Sequence, residues 1–256
     1  MIAKLLDNAL APAPAAGRVA FLKGQPYAHR GLHGRGVLEN SPAAFEAAIK
    51  LGHGIECDVQ AAEDGRAFVF HDYELDRLTG QSGRIGNLRA DDIDRIQLND
   101  GHGKIPRLRE TLAQIGGRVP VLIEIKSRNV RVGPLCLSVR RALEGYGGKA
   151  AIMSFNPLVC AWFRKNADHI VRGLVVTEED SGNWRGRIAR HRNLWAAKPD
   201  FLAYDIRDLP SRFAAAQRAR GLPIVTWTVR SAEQEKPRLS MQTNRFTRYR
   251  RADPHV

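Results

Sequence analysis

Residues 54–72 read Gly-Ile-Glu-Cys-Asp-Val-Gln-Ala-Ala-Glu-Asp-Gly-Arg-Ala-Phe-Val-Phe-His-Asp, and the first seven of them decide the fold. Glu56 and Asp58 stand two apart, so in an extended strand both carboxylates share one face while Cys57 and Val59 point the other way. Such a strand reads as buried on both sides, which is the habit of a parallel sheet covered by helices. Asp64-Gly65 then marks a tight turn, and the apolar run 67–70 ends on His71-Asp72.

The same reading extends along the chain. Further strands are expected at 27–29, 121–126, 150–155, 172–176, 201–206 and Ile224–Val229, with helices at 41–51, 130–144, Pro157–Asn166 and 211–220. Ser41 is an N-cap and Pro42 the first helical residue of the first of these. Apolar strands alternating with amphipathic helices predict an α/β chain with a parallel sheet, and 256 residues suit one β/α barrel domain spanning 1–256. Residues 73–105 interrupt the alternation with a polar, glycine-containing stretch too long for an ordinary connection; they are expected to form an inserted lobe after the second barrel strand.

The count stops at seven strands, whereas a closed barrel of this type has eight. After Val229 no apolar strand is recognisable. Residues 236–256 carry six Lys/Arg against one acid, Asp253, and read as an atypical basic tail. The last βα unit is therefore expected to be missing or altered, a pattern that a shifted reading frame near residue 236 would produce. A missing strand would leave the first and last strands as exposed edges.

Composition narrows the class further. Net charge is +13, with a second basic cluster at Arg185, Arg187, Arg190 and Arg192. Such blocks suit a solvated basic face, or a basic mouth that draws in anionic substrates. Three scattered cysteines, Cys57, Cys136 and Cys160, in no metal-type spacing point to a reducing, cytoplasmic setting. Asp7, Asn8, Pro12 and Pro14 interrupt any export-signal core, and no run of 18 apolar residues exists to span a membrane. Oligomeric state is left open.

Buried carboxylates are costly unless paired or bound to a cation, and hard ions such as Mg²⁺ or Ca²⁺ take oxygen ligands. The strand at 121–126 adds Glu124 and Lys126, again two apart on one face. Three carboxylates and a lysine from neighbouring strands make a cation and phosphate site, although a buried Glu–Lys pair alone would explain the second motif. His29-Arg30-Gly31 and His71-Asp72 sit at strand ends, where a barrel displays its reacting groups. Two imidazoles suit an acid–base pair for phosphodiester cleavage, and Arg30 suits the non-bridging phosphate oxygens. His33, His53 and His102 lack such context.

Together, Tyr27-Ala28-His29-Arg30-Gly31, Glu39-Asn40-Ser41, Gly54-Ile55-Glu56-Cys57-Asp58-Val59, Val69-Phe70-His71-Asp72 and Leu78-Thr79-Gly80 resemble the signature of the glycerophosphodiester phosphodiesterases. Leu122-Ile123-Glu124-Ile125-Lys126, Ser154-Phe155 and Trp227-Thr228-Val229 extend the resemblance in order over residues 26–230. It implies a TIM (β/α)8-type barrel with an insertion after its second strand. It also implies divalent-cation-dependent hydrolysis of small glycerophosphodiesters to glycerol 3-phosphate and an alcohol.

Carried over by position, Glu56, Asp58 and Glu124 resemble the metal ligands and His29 and His71 the acid–base pair. Arg30 and Lys126 look like phosphate contacts and Trp227 like an apolar wall. Glu39 is either an outer metal contact or a partner of Arg30. Arg230 departs from the family, which often has Asn there. Two nucleophiles remain open, water and the substrate's own 2-hydroxyl through a cyclic intermediate. A related phospholipase C or lysophospholipase D-type enzyme is the nearest alternative. A more distant one is an inactive phosphate-ester protein, or a nucleic-acid binder acting through its tail; no nucleic-acid partner is expected while every catalytic candidate is present.

Overall fold

The computed structural model describes residues 2–34, 36–179, 183–229 and 244–247. After a first helix α1 (Ile2–Leu10) and a 3₁₀ segment (Ala16–Leu22), strand β1 (Tyr27–Ala28) leads to α2 (Pro42–Lys50) and β2 (Gly54–Ala61). Ser41 caps α2 by accepting a bond from the Ala44 amide at 3.2 Å, with Pro42 at the first turn, as its sequence predicts. The chain continues through β3 (Ala67–Val69), α3 (Asp76–Thr79), α4 (Ala90–Ile93) and α5 (Leu108–Ile115). Four regular units follow: β4 (Val121–Ile125) with α6 (Gly133–Leu143), β5 (Ala150–Ser154) with α7 (Pro157–Asn166), β6 (Val171–Val176) with α8 (Trp184–Ala197), and β7 (Phe201–Asp205) with α9 (Arg212–Ala219). The last strands are β8 (Ile224–Val229) and β9 (Asn244–Thr247).

The sheet runs β1-β9-β8-β7-β6-β5-β4-β2, and β1 also pairs with β2, so the parallel strands close into a barrel. Strand β3 lies outside the ring, antiparallel to β2. Alternation along the strands divides the interior in two. Ile55, Cys57, Val59, Ile123 and Ile125 pack outward against the helices, while Leu122, Met153, Val175, Phe201 and Val225 fill the barrel. Val19 and Leu22 of the 3₁₀ segment join that inner cluster, and Arg18 fixes the segment by bonds of 2.9 and 3.1 Å to Asp200. Where β1 and β2 meet, Tyr27 lies over Gly54, and a Cβ there would stand 2.5 Å from the ring.

Two expectations meet a different outcome. Among the described residues an eighth parallel strand is present: β9 pairs Tyr27 with Phe246 on one side and Val225 with Asn244 on the other. Neither β1 nor β8 is an open edge. What is altered is composition, because Asn-Arg-Phe-Thr replaces the expected apolar run; ladder hydrogen bonds use the backbone and are indifferent to that. Arg230 and, apart from β9, the basic tail at 236–256 lie outside the described residues. The excursion after β2 also begins earlier than expected, at β3. Residues 73–105 then pack Leu75, Leu78, Ile85, Ile93 and Ile105 with Phe68 and Phe70 into a separate apolar cluster. Glycines and charges conceal that cluster from a search for strand periodicity.

Helix α1 was not anticipated, and a buried carboxylate anchors it. Asp7 accepts bonds from Gln217 on α9 (2.7 Å) and from His191 (2.9 Å) and Trp195 (2.8 Å) on α8. Burial alone would raise the Asp7 carboxyl, but these bonds, Gln217 foremost, outweigh it and hold the group below its ordinary value. Replacing Asp7 by Ala strands the buried Gln217 amide and should cost about 2–3 kcal/mol in urea unfolding. A depressed carboxyl contributes above its unfolded value and loses that contribution as pH falls. The gap between the wild type and Asp7→Ala should accordingly be full at neutral pH and shrink below about pH 4.

Candidate active site

The mouth of the barrel is where the strand ends deliver charge. Glu56, Asp58 and Glu124 point inward from adjacent β2 and β4, and each offers an oxygen within 4.8 Å of the others. All three are buried. Lys126, just beyond β4, places its Nζ 3.0 Å from Asp58 and 2.6 Å from Glu124. Arg30 places Nε 3.3 Å from Asp58 and Nη1 2.8 Å from Glu39, and its backbone amide donates to Glu56 Oε2 at 2.9 Å. Among the described residues three carboxylates thus share two cations, and Glu56 Oε1 is left buried without a hydrogen-bond partner.

The titration of these groups follows from that shortage. Burial, then the Asp58 and Glu124 charges, push Glu56 well above its ordinary value. Burial also raises Glu124, only partly opposed by Lys126. Asp58 goes the other way, because Lys126 and Arg30 outweigh the cost of its burial. A set of oxygen donors with an orphaned buried oxygen fits a hard divalent ion, which would supply the missing positive charge.

The loop that carries His29 is folded by its own sequence. Arg30 adopts φ 57° and Gly31 φ 75°, a left-handed turn directly after β1. A Cβ on Gly31 would meet Ala44 at 2.7 Å, so only glycine lets α2 approach this closely. Asn40, also left-handed at φ 53°, reaches across with its Nδ2 to Asp58 Oδ2 at 3.0 Å and accepts from the Asp58 amide at 3.3 Å. His29 is deep in the site; burial, then Arg30, lower its imidazole to about 3, so it is neutral near pH 7.

His71 sits on the other side. Its Nδ1 is 2.6 Å from Asp72 Oδ1. Hydrogen bonds from Arg77 and His71 overcome burial and keep Asp72 below its ordinary value, so an ionised carboxylate accepts and His71 Nδ1 donates. Gln60 fixes the same backbone by donating to the His71 carbonyl at 2.9 Å and to the Asp72 carbonyl. One cavity of about 170 Å³ is lined by His29, Arg30, Glu56, His71, Glu124 and Lys126, with Met153, Phe155 and Trp227 as its apolar wall. Trp227 donates to the Ala203 carbonyl at 3.1 Å and meets Phe155 edge-on, ring centres 5.8 Å apart.

The family's sequence profile, described as the glycerophosphoryl diester phosphodiesterase family, matches residues 29–251. The chain belongs to this family.

Among curated family members, a glycerophosphodiester phosphodiesterase of Caldanaerobacter subterraneus subsp. tengcongensis is 34% identical over 158 residues. That alignment covers 58% of this chain and 65% of the relative, just under two thirds of its length. Among solved structures, an Oleispira antarctica phosphodiesterase in complex with the product sn-glycerol-3-phosphate superposes with a TM-score of 0.76 at 22% identity. The superposition covers 91% of this chain and 95% of that one. A glycerophosphodiester phosphodiesterase from Thermotoga maritima gives 0.69 at 24% identity, covering 88% and 95%. These structures share the fold.

Every site residue singled out in the sequence, apart from Glu39 and Asp58, lines the one cavity; those two stand directly behind it on Arg30. Glu39 accepts from Arg30 and, at 2.7 Å, from Arg77. Arg77 also holds Asp72 through bonds of 2.6 and 3.0 Å. Sequence reasoning missed the part played by Asp72, Arg77 and the Asn40 amide, because each touches the site through another residue. A thermal-melting experiment tests the cation reading without turnover. In chelator Glu56→Gln should melt above the wild type, since it removes an uncompensated buried carboxyl. At hundredfold excess over Kd, added Mg²⁺ or Ca²⁺ should stabilise the wild type by about 2.7 kcal/mol, roughly 5–10 °C for a chain of this size. It should leave Glu56→Gln nearly unmoved.

Proposed function

We propose that the protein hydrolyses glycerophosphodiesters to glycerol 3-phosphate and an alcohol, with a divalent cation, Mg²⁺ or Ca²⁺, held by Glu56, Asp58 and Glu124. The observation that carries this reading is the meeting, in one cavity, of a buried oxygen-donor set, two imidazoles, Arg30 and Lys126. Family membership and the product-bound structural neighbour agree with it. The cation would lower the cost of charge developing on the phosphoryl oxygens.

The remaining work falls to side chains. Lys126, and the corner of the Arg30 guanidinium not engaged by Asp58 and Glu39, bind the non-bridging phosphate oxygens. His29, held neutral, takes the proton of the attacking hydroxyl as the new P–O bond forms. His71, whose Nδ1–H is anchored on Asp72, gives a proton from Nε2 to the departing alkoxide as the old P–O bond breaks. The bond to the Asp72 carboxylate fixes the ring so that Nε2 faces the leaving oxygen. A cavity of about 170 Å³ suits the glycerol phosphate part of a diester, with the alcohol projecting past Phe155 and Trp227 towards the mouth. The three buried free thiols suit a reducing compartment such as the cytoplasm.

Release of glycerol 3-phosphate from glycerophosphocholine and glycerophosphoethanolamine should require added cation and stop in excess chelator; turnover that survives chelation would overturn the reading. His29→Ala and His71→Ala should each lower kcat by about 10²–10⁴-fold. A diester with a nitrophenol leaving group needs no protonation, so His71→Ala should recover much of its rate there and His29→Ala should not. Solvent oxygen label in the first phosphorus product identifies water as the nucleophile. Its absence identifies the substrate's own 2-hydroxyl.

A further inference from the structure

Five exposed large apolar residues lie on three neighbouring βα connections at the barrel mouth. Val130 (79% exposed) follows β4, Phe155 and Leu158 follow β5, and Trp184 (64%) and Ile188 (51%) open α8 after β6. Strands β4, β5 and β6 are adjacent in the ring, so these connections form one side of the rim. Asn156 ties two of them together by donating to the Asn129 carbonyl at 2.9 Å. Among the described residues the other exposed large apolar side chains are on α1 and at the end of α2. Phe155 also walls the cavity, so the apolar rim reaches the site at this ring.

The exposed charges on these connections that lack an ion-pair partner among the described residues are all arginines. Arg128, Arg131, Arg185 and Arg187 are exposed on the same connections and have no carboxylate partner among the described residues. Arg128 instead stacks on Tyr73 at 4.0 Å and Arg185 on Trp184 at 5.4 Å. The described acids of the β6 connection are already taken: Glu178 pairs with Arg190 at 3.2 Å and Glu179 with Arg207 at 3.0 Å. Protruding Trp and aliphatic side chains flanked by arginines with no carboxylate partner among the described residues match the chemistry of an anionic phospholipid surface, apolar beneath and negative at the headgroups.

We propose that this side of the rim docks the protein on anionic phospholipid membranes, with the mouth facing the lipid. Diesters carried at the membrane surface then reach the cavity along Phe155. Docking itself is independent of turnover.

The full chain, in chelator, should sediment with vesicles of phosphatidylcholine plus phosphatidylserine and much less with phosphatidylcholine alone, and binding should weaken with salt. Arg185→Glu/Arg187→Glu should lower the partition coefficient by about tenfold or more, and Val130→Asp/Trp184→Ala/Ile188→Ala by a similar factor. Both variants should keep the wild-type melting temperature and the wild-type rate on soluble glycerophosphocholine. Equal binding of wild type and both variants would overturn the proposal, since it would place the contact elsewhere, as would failure of the wild type to bind at low salt. A concentration-dependent dimer abolished by the Trp184-containing variant would also overturn it, by assigning the rim to a second copy. Loss of glycerophosphocholine turnover with intact vesicle binding would count against the hydrolase reading alone.

Discussion

The site depends on a charge imbalance inside a closed barrel. Glu56, Asp58 and Glu124 are held out of water by strands whose outward-facing residues are apolar, and Arg30 and Lys126 answer only two of the three charges. Two like charges at about 4–5 Å repel by several kcal/mol even at an effective dielectric of 20. The chain tolerates this because the barrel is stabilised elsewhere, by the helix-side cluster that includes Cys57 and Val59 on the opposite face of the same strand. Period-two alternation is what allows one strand to serve both the core and the buried carboxylate cluster.

The same imbalance draws the excursion after β2 into the site. From Asp58 the chain of contacts runs through Arg30 to Glu39, from Glu39 to Arg77, and from Arg77 to Asp72 and His71. Arg77 belongs to α3, so the segment 73–105 contributes a positive charge that fixes the imidazole on the far side of the cavity. Removing water from this network strengthens each pair but makes each member costly to leave alone. The two imidazoles therefore differ by environment: His71 is backed by a carboxylate, whereas the Nδ1 of His29 is buried without a hydrogen-bond partner among the described residues.

The fold was legible wherever burial imposed a period. Strands β2 and β4 to β8 and the helices α2, α6, α7 and α9 follow from apolar runs and caps, and the resemblance pointed to His29, Glu56, His71 and Glu124, which the fold brings to one cavity. Helix α8 escaped because its arginines blur its apolar face; only the structure shows Arg190 turned inward onto Glu178 while Arg185 and Arg187 face solvent. Helix α1 escaped because what holds it is Asp7, a charge contacted by residues roughly two hundred positions away. Strand β9 escaped because backbone pairing leaves no mark on side-chain composition. Long-range polar contacts and backbone ladders carry no local pattern, and these account for what the sequence did not reveal.

The unusual last strand bears on His29, but less than its position suggests. Strand β1 has only two residues, and they pair with β9 on one side and with β2 on the other. The β2 side alone supplies the ladder from Tyr27 and Ala28 to Gly54 and Ile55, a bond of 3.2 Å from the Gly31 amide to the Glu56 carbonyl, and the Arg30 amide on Glu56 Oε2. Every one of these ties fixes the His29 turn directly to the strand that bears the carboxylates. Strand β9 adds closure and covers the edges of β1 and β8, which protects the barrel from pairing with other chains. The polar Asn-Arg-Phe-Thr segment can serve that purpose because it has only to supply backbone donors and acceptors. Alignment of His29 with the three carboxylates rests on β1, β2 and β4, while His71 is set separately by Asp72, Arg77 and Gln60.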